Sequence, residues 1–267
     1  MTSKIAQFHR LHETGCFVIP NPWDRGSARY LETLGFKAVA SSSAGFAWSI
    51  GRPDNGVTVD EVLAHIRDLA GAVAIPVNAD FEGGFAVEPE GVAANVRRAV
   101  ATGIAGLSIE DSTGDKSAPL FEFALAVERI KAARAAIDTS KTGVLLTGRS
   151  EGFIAGRPDI KETIRRLEAF ALAGADCLFA PGIKSKDDIA AVVKAVAPKP
   201  VNLIVSGNFI TVAEAAELGV RRISIGGALA RTAWAGFAAA AQELAGHGTF
   251  SSFGAGGPPL DLNGIFR

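Results

Sequence analysis

Carboxylate side chains recur along the first half of this 267-residue chain, at or shortly after the points where short β-branched runs end. These acids are Asp54, Asp80, Glu82, Glu110 and Asp111. Carboxylates that converge on one site repel one another unless a cation or shared protons offset the repulsion. No histidine or cysteine shares these positions, and oxygen-only ligands favour Mg²⁺, with Mn²⁺ as the second choice. The pattern predicts a divalent metal site. For any single acid the alternative is a helix cap or an ion pair with an arginine.

A cation and a small-residue turn complete the candidate site. Arg149 ends a predicted strand, and its planar guanidinium can bind a substrate carboxylate through two hydrogen bonds. The alternative for Arg149 is a salt bridge to one of the acids. Ser42 and Ser43 lead into Ala44 and a glycine, and such a turn can aim backbone N–H groups at a carboxylate or an oxyanion. A tight packing turn is the alternative there.

Eight short apolar runs, separated by segments of helical periodicity, must position these residues. The predicted strands are residues 16–21, 38–43, 76–81, 106–111, 144–149, 177–182, 202–207 and 221–226. Helix starts show an N-cap residue followed three positions later by an acid; they are Thr58, Asp159, Ser185 and Thr211. Glycines mark the helix ends; they are Gly35, Gly71, Gly103, Gly174 and Gly219. Eight such units predict a (β/α)₈ TIM-type barrel, with an open doubly wound sheet as the alternative.

In a barrel of this kind the active site lies at the C-terminal ends of the strands. Gly226 and Gly227 follow strand eight, where many barrels bind phosphate, although a glycine pair is a weak signal by itself. Asn208 and Trp23 are further candidate substrate contacts. Tryptophans such as Trp23 are more often core or interface residues than substrate contacts.

Composition limits the possible partners. The chain has 27 Lys plus Arg against 28 Asp plus Glu, a net charge of −1, which argues against binding nucleic acid or anionic lipid. No apolar run reaches the ~20 residues of a membrane span, and the N-terminus has no apolar signal region. We read Cys16 and Cys177 as buried strand thiols in a reducing cytoplasm. We expect one domain over residues 1–267, with the tail 248–267 docked on the barrel or on a neighbouring subunit.

Several segments resemble, in order, those of the isocitrate lyase/phosphoenolpyruvate mutase superfamily. They are Asn21-Pro22-Trp23-Asp24, residues 42–54, Asn78-Ala79-Asp80-Phe81-Glu82-Gly83-Gly84-Phe85, Ile109-Glu110-Asp111, Gly148-Arg149-Ser150-Glu151-Gly152-Phe153 and Gly174-Ala175-Asp176. The resemblance covers nearly the whole chain, and residues 219–228 are similar to the mutase-like branch.

The resemblance implies an outer helix exchanged between subunits, a dimer or a tetramer built as a dimer of dimers, and Mg²⁺ holding a 2-oxo acid. Carried over by position, Asp54, Asp80 and Glu110 would hold the metal directly or through water. Arg149 would bind the substrate carboxylate. The turn from Ser42 to Ala44 would supply hydroxyl and N–H donors.

Two departures from the family pattern limit this reading. The family's Asp-Ala-Asp is Asn78-Ala79-Asp80 here, which weakens the metal site unless Glu82 compensates. The Lys-Arg-Cys-Gly-His loop of the carbon–carbon lyases is absent, and residues 112–117 replace it with neither thiol nor imidazole. An authentic isocitrate or methylisocitrate lyase is therefore not expected.

The working hypothesis is a Mg²⁺-dependent lyase or decarboxylase that cleaves a bond at C3 of a small 2-oxo dicarboxylate and leaves a stabilised enolate. Water or Lys116 would then protonate the enolate. One alternative is P–C bond chemistry on phosphonopyruvate, as a mutase or a hydrolase. Another is a barrel that has lost catalysis and acts as a binding protein.

Overall fold

Eight parallel strands form the centre of the computed structural model, which describes residues 3–254 and 260–267. The strands are β1 (Phe17–Ile19), β2 (Val39–Ala40), β3 (Val77–Asp80), β4 (Gly106–Glu110), β5 (Leu145–Arg149), β6 (Cys177–Phe179), β7 (Val201–Ile204) and β8 (Arg222–Ser224). From β2 to β8 each strand pairs with its neighbour in the chain, and β1 pairs with β8. Between β1 and β2 the Ala40 N–H donates to the Pro20 carbonyl at 3.0 Å. This arrangement confirms the predicted (β/α)₈ barrel.

Helices cover the outside of the barrel and close its lower end. They are α1 (Lys4–Leu11), α2 (Arg25–Thr33), α3 (Ser43–Ser49), α4 (Val59–Ala72), α5 (Pro89–Val100), α6 (Phe123–Ser140), α7 (Ile160–Leu172), α8 (Lys186–Val196), α9 (Val212–Glu217), α10 (Ala228–His247) and α11 (Leu262–Ile265), with a 3₁₀ turn at Ser251–Gly254. Among the described residues, no helix is both long and apolar enough to cross a membrane.

The predicted helix starts are confirmed by their hydrogen bonds. Thr58 and Thr211 form capping boxes with the acids three residues later, and the side chains of Asp159 and Ser185 accept backbone N–H bonds. Such caps satisfy backbone donors that have no partner inside the helix. One predicted end was wrong: Gly71 lies inside α4, which ends at Ala72.

Two apolar regions hold the barrel together. The larger one lies between the strands and the surrounding helices. The smaller one fills the lower end of the barrel, where Phe8 of α1 is fully buried against the strand starts around Ala38, Leu145 and Cys177. Cys177 is therefore a buried strand thiol as predicted, whereas Cys16 precedes β1 and is only half-buried. With its lower end closed by α1, the barrel interior opens at the opposite, C-terminal ends of the strands.

Helix α10 differs from the helices that cover the barrel. Of its 20 residues, only Ala230 is buried. Its exposed large apolar side chains are Leu229, Trp234, Phe237 and Leu244. At the end of the tail, the Phe266 ring lies 5.5 Å from the Arg29 guanidinium on α2. The middle of the predicted docking tail, residues 255–259, lies outside the described residues.

Candidate active site

A cavity of about 290 Å³ opens at the C-terminal ends of the strands. It brings together residues that are far apart in sequence, including Asp54, Asp80 and Arg149. The seryl residues and Ala44 line the same space, as do Gly226 and Gly227. The cavity therefore unites the predicted anion-binding turn with part of the predicted acid cluster.

The seryl turn is the start of a helix. Strand β2 ends at Ala40, and Ser42 caps α3, so the predicted strand 38–43 extended too far. The Ser42 Oγ accepts the Gly45 N–H at 3.1 Å. The Ser43 N–H donates to the Asp80 Oδ2 at 3.1 Å. The free N–H groups of a helix start favour an anion, and in this structure a carboxylate of the protein occupies one of them.

Arg149 lies at the centre of the acid cluster. Its Nη1 is 3.2 Å from both the Asp80 Oδ1 and the Glu110 Oε2, while its Nε and Nη2 bind the two carboxylate oxygens of Glu151. Burial alone would lower the pKa of Arg149, but these carboxylates raise it well above its usual value. The salt bridge considered as the alternative is thus present. Since Arg149 also lines the cavity, its predicted contact with substrate stays a prediction.

Proximity and burial hold several of these acids toward their protonated forms. Burial raises the pKa of Glu82 to about 8, and the nearby Asp80 and Asp54 carboxylates add to the shift. Burial also raises the pKa of Glu110 well above its usual value, with Arg149 opposing it. Partial burial and then Asp80 raise the pKa of Asp54. Burial is the largest cause of the raised pKa of all three acids, and neighbouring carboxylates add to it.

The donor chemistry of this cluster fits a hard divalent cation. The Glu82 Oε1 is buried and has no hydrogen-bond partner. Glu82 also has a φ of 45°, a left-handed backbone conformation that costs energy for a residue other than glycine. Within residues 3–254 and 260–267, no three acid, histidine or cysteine side chains are already arranged as metal ligands. Binding a cation would therefore require these carboxylates to move from their present partners.

Asp111 does not belong to this cluster, contrary to the prediction. Its Oδ2 is 3.1 Å from the Arg166 Nη1, and its Oδ1 accepts the Glu151 N–H at 2.7 Å. Both side chains of the ion pair are buried. Asp111 thus ties β4 to α7 and fixes the backbone that carries Glu151.

Three other candidate residues lie away from the central cavity. Trp23 lines a separate pocket with Trp234 and Phe237 of α10. Asn208 is exposed in the loop after β7, where Ser206 rather than Asn208 contributes to the cavity wall. Lys116 is exposed in the loop that precedes α6. The structure does not bring these three residues together with Arg149.

Asn21 binds the backbone beside Gly226 and Gly227, the glycine pair that was considered as a phosphate site. The Asn21 Oδ1 accepts the N–H groups of Ile225 and Gly226, both at 2.9 Å, and its Nδ2 donates to the Ser41 carbonyl. The N–H of Gly226 is therefore bound to the protein itself. This buried amide joins three strand ends around the cavity.

Two residues of the barrel interior were missed as site residues. Glu151 binds Arg149 through both of its carboxylate oxygens, and Arg222 lines the lower cavity. Glu151 lies two residues after Arg149, a spacing that could have suggested their pairing. Arg222 is a charged residue inside a predicted strand, in the same alternating register as Ser224. A charged residue at an inward strand position is a signal for a polar interior.

Comparison with known proteins gives a consistent picture. The sequence model of the family described as phosphoenolpyruvate phosphomutase matches residues 8–245. The oxaloacetate decarboxylase of Bradyrhizobium diazoefficiens is 30% identical, over 94% of this chain and 85% of that protein.

Solved structures extend this similarity to the fold. A crystal structure from Burkholderia cenocepacia J2315, described in general terms as a lyase/mutase, matches with a TM-score of 0.95 and 45% identity, over 98% of this chain and 96% of that one. The structure of an oxaloacetate acetylhydrolase in complex with the product oxalate matches with a TM-score of 0.87 and 28% identity, over 99% of this chain and 94% of that one.

Proposed function

Because the chain belongs to the phosphoenolpyruvate phosphomutase family, within the isocitrate lyase/phosphoenolpyruvate mutase superfamily, we propose that it cleaves a bond at C3 of a small 2-oxo dicarboxylate. Family membership confirms the resemblance found in the strand-end motifs, and the enzyme is of the carbon–carbon lyase type. Decarboxylation of oxaloacetate is the first reaction to test. One observation carries the proposal: the Asp80 carboxylate joins the Ser43 N–H to Arg149 in a single cavity.

Four acids are proposed to hold the metal, directly or through water: Asp54, Asp80, Glu82 and Glu110. Bound Mg²⁺ supplies a Lewis acid that polarises the keto oxygen of the substrate. The Asn78 amide cannot contribute the charge of the family's first aspartate. The buried Glu82 Oε1, which has no hydrogen-bond partner among the described residues, is proposed to compensate.

The protein's own donors orient the substrate. A substrate carboxylate that enters the cavity would compete with Glu151 and Asp80 for the Arg149 guanidinium, whose fork binds carboxylates through two parallel bonds. The Ser42–Ala44 turn is proposed to donate to the oxygen on which negative charge develops. Decarboxylation needs no base at its start, which suits a cavity whose lining, among the described residues, includes neither a thiol nor an imidazole. Water that enters the cavity is proposed to deliver the later proton, because Lys116, the other predicted donor, does not line the cavity.

The test is release of pyruvate from oxaloacetate, with and without Mg²⁺. We expect metal-dependent turnover by the wild type and a loss of at least about 100-fold in kcat/KM in Asp80→Ala. Asp60→Ala is the matched control, because Asp60 pairs with Arg98 at the surface. A rate of pyruvate release no higher than that of oxaloacetate with Mg²⁺ alone would contradict this proposal.

The family match itself favours a second candidate, transfer or hydrolysis at a P–C bond. The sequence does not reproduce the Lys-Thr-Asn-Ser-like gating loop that the family resemblance implies for enzymes acting on P–C bonds, so we rank this activity below decarboxylation. Incubation with phosphonopyruvate followed by ³¹P NMR distinguishes the two. A new phosphate or phosphate-ester resonance would favour P–C chemistry.

Exchange of α10 between subunits is proposed as the basis of a dimer or a tetramer. The apolar side chains of Trp234 and Phe237 are 44% and 63% exposed, too much contiguous apolar area for a helix that stays in water. We expect the double variant Trp234→Glu/Phe237→Glu to shift the assembly toward monomer in light scattering after size-exclusion chromatography. Leu172→Glu is the control, since Leu172 is exposed on α7 away from this face. An unchanged mass in the double variant would contradict the exchange.

A further inference from the structure

The layer of the barrel interior just below the acid cluster is polar. Barrel interiors are usually filled by branched apolar side chains. Here the inward positions are occupied by five buried polar residues, which we call the polar floor: Asn78, Ser108, Thr147, Asn202 and Arg222. Three of them lie two residues before Asp80, Glu110 and Arg149 on β3, β4 and β5. Since strand side chains alternate in direction, each points into the same interior as the site residue above it.

Arg222 is a buried cation whose hydrogen-bond partners are all neutral. Its Nε donates to the Asn202 Oδ1 at 2.8 Å, and its Nη2 donates to the Thr147 Oγ1 at 3.1 Å. Its Nη1 lies 3.3 Å from the His12 Nε2. The His12 Nδ1 is 2.8 Å from the Phe8 carbonyl, which fixes the Nδ1–H tautomer and leaves Nε2 as an acceptor. Across the described ranges 3–254 and 260–267, no Asp or Glu carboxylate pairs with Arg222.

Part of the donor capacity of the polar floor is unused. A guanidinium has five N–H donors, and these contacts use three of them. The Asn202 Nδ2 donates to the Ser224 Oγ at 2.9 Å, which leaves the Ser224 hydroxyl hydrogen free to donate. Arg222, Asn202 and Ser224 all line the central cavity. An isolated buried charge is costly unless an ion of opposite sign or strong hydrogen bonds offset it.

The two arginines that the barrel strands place in the cavity, Arg149 and Arg222, therefore differ in what they can still bind. Arg149 already contacts three carboxylates, whereas none in the described part of the chain contacts Arg222. The cavity of about 290 Å³ has room for roughly ten water molecules at ~30 Å³ each, so a small dicarboxylate fits inside it. A substrate held at the mouth by its 2-oxo acid group would carry its second carboxylate toward the lower cavity.

We infer that the polar floor is a second anion subsite, in which Arg222, with the Ser224 hydroxyl, binds the substrate carboxylate remote from the 2-oxo group. The inference rests on the proposed 2-oxo dicarboxylate substrate. Arg222 thereby determines specificity for dicarboxylates over monocarboxylates of equal length.

Titration calorimetry in the presence of Mg²⁺ tests this subsite. The ligand pairs are 2-oxoglutarate with 2-oxopentanoate and 2-oxoadipate with 2-oxohexanoate, which differ only in the distal carboxylate. Of the two dicarboxylates, the one that binds the wild type more tightly is expected to exceed the affinity of its matched monocarboxylate by at least about tenfold. Arg222→Met is expected to bind the two ligands of that pair with equal affinity. Arg222→Lys keeps the charge but loses the fork, so it retains part of the preference. Oxalate, a probe of the mouth alone, should bind all three proteins equally.

Formate, a small carboxylate, gives a test of the anion subsite that does not depend on the proposed function. At constant ionic strength, formate should raise the thermal unfolding midpoint of the wild type and leave that of Arg222→Met unchanged. Stabilisation by formate without binding of any 2-oxo acid would remove the proposed substrate and keep the anion subsite. A dicarboxylate preference that survives in folded Arg222→Met, or a wild type with neither preference nor formate response, would overturn the subsite. Circular dichroism establishes that each variant is folded, and Arg222→Lys serves if Arg222→Met is not.

Discussion

The layer of Asp80, Glu110 and Arg149, which we call the mouth, shares strands β3, β4 and β5 with the polar floor, but the two layers compensate their charges in opposite ways. Asp80, Glu110 and Arg149 follow Asn78, Ser108 and Thr147 at a spacing of two residues. In the mouth, Arg149 contacts three carboxylates. In the floor, Arg222 contacts a hydroxyl, an amide and an imidazole. Ion pairing therefore holds the mouth together, whereas hydrogen bonds to neutral groups hold the floor together.

Removing the mouth cation is the largest perturbation of this contrast. Arg149→Met leaves Asp80, Glu110 and Glu151 without their shared partner. Breaking a buried ion pair from one side costs about 3–5 kcal/mol, so we expect a loss of that size in the free energy of unfolding at pH 8. Urea denaturation of metal-free protein measures it, and the variant should also lose binding of substrate.

The loss in Arg149→Met should shrink as the pH falls. Without the guanidinium, burial raises the pKa values of Glu110 and Glu151 above those in the unfolded chain, so the folded state gains protons on acidification. Arg165→Met is the control, since Arg165 forms an exposed pair with Glu162 that solvent screens. Equal losses in the two variants would show that the mouth does not depend on ion pairing.

Because Arg222 requires neutral partners, the stability of the folded protein should depend on the protonation of His12 beside the polar floor. Burial, with Arg222 adding to it, lowers the pKa of His12 from 6.5 to about 3. Between these values the unfolded chain binds the proton and the folded chain does not, so stability falls as the pH falls below 6.5. Between pH 7 and pH 5 this amounts to about 2 kcal/mol.

The glutamine variant isolates this contribution. His12→Gln keeps a side-chain acceptor near Arg222 but cannot take up a proton. We expect urea denaturation at pH 7 and pH 5 to show a smaller loss in His12→Gln than in the wild type, by about 2 kcal/mol. Identical losses would mean that Arg222 tolerates a charged neighbour.

The sequence was sufficient to predict the barrel and most of the mouth, because those features leave local signals. Alternating strands and capped helices predicted eight units, and residues at the strand ends predicted Asp80, Glu110 and Arg149. The positions of Trp23 and Lys116 could not be predicted, because the direction of a loop depends on packing between distant segments. The pairing of Asp111 with Arg166 has the same origin, since the two residues are 55 positions apart.

The polar floor shows a different limit of sequence reasoning. Four of its five residues are uncharged, and only Arg222, a charged residue inside a predicted strand, gives a signal of its own. Only the closure of the barrel brings β3, β7 and β8 around one cavity, where Arg222 lies beside Asn202 of the neighbouring strand and shares the cavity wall with Asn78. The chemistry of this layer follows from strand register, which a pattern of apolar runs does not resolve.

Asn78 lies where the mouth and the floor meet, and changing it to aspartate gives the smallest expected effect. Its Oδ1 is buried without a partner. In Asn78→Asp this oxygen becomes a carboxylate below Asp80, so we expect Mg²⁺ to bind about tenfold more tightly, or about 1.4 kcal/mol, in titration calorimetry. Asn95→Asp is the matched control. Asn95 lies on α5 and donates to the Gly84 carbonyl, so its substitution should not change the affinity for Mg²⁺.

The same variant separates two ways of satisfying a new carboxylate. If the carboxylate turns to a metal, Mg²⁺ raises the thermal midpoint of Asn78→Asp more than that of the wild type, and the dicarboxylate preference persists. If it pairs with Arg222, Mg²⁺ affinity stays unchanged and the preference falls, because the floor has then acquired the internal counter-ion that the mouth already has. The first result preserves the contrast between the two layers, and the second removes it, since both arginines would then be neutralised from within the protein.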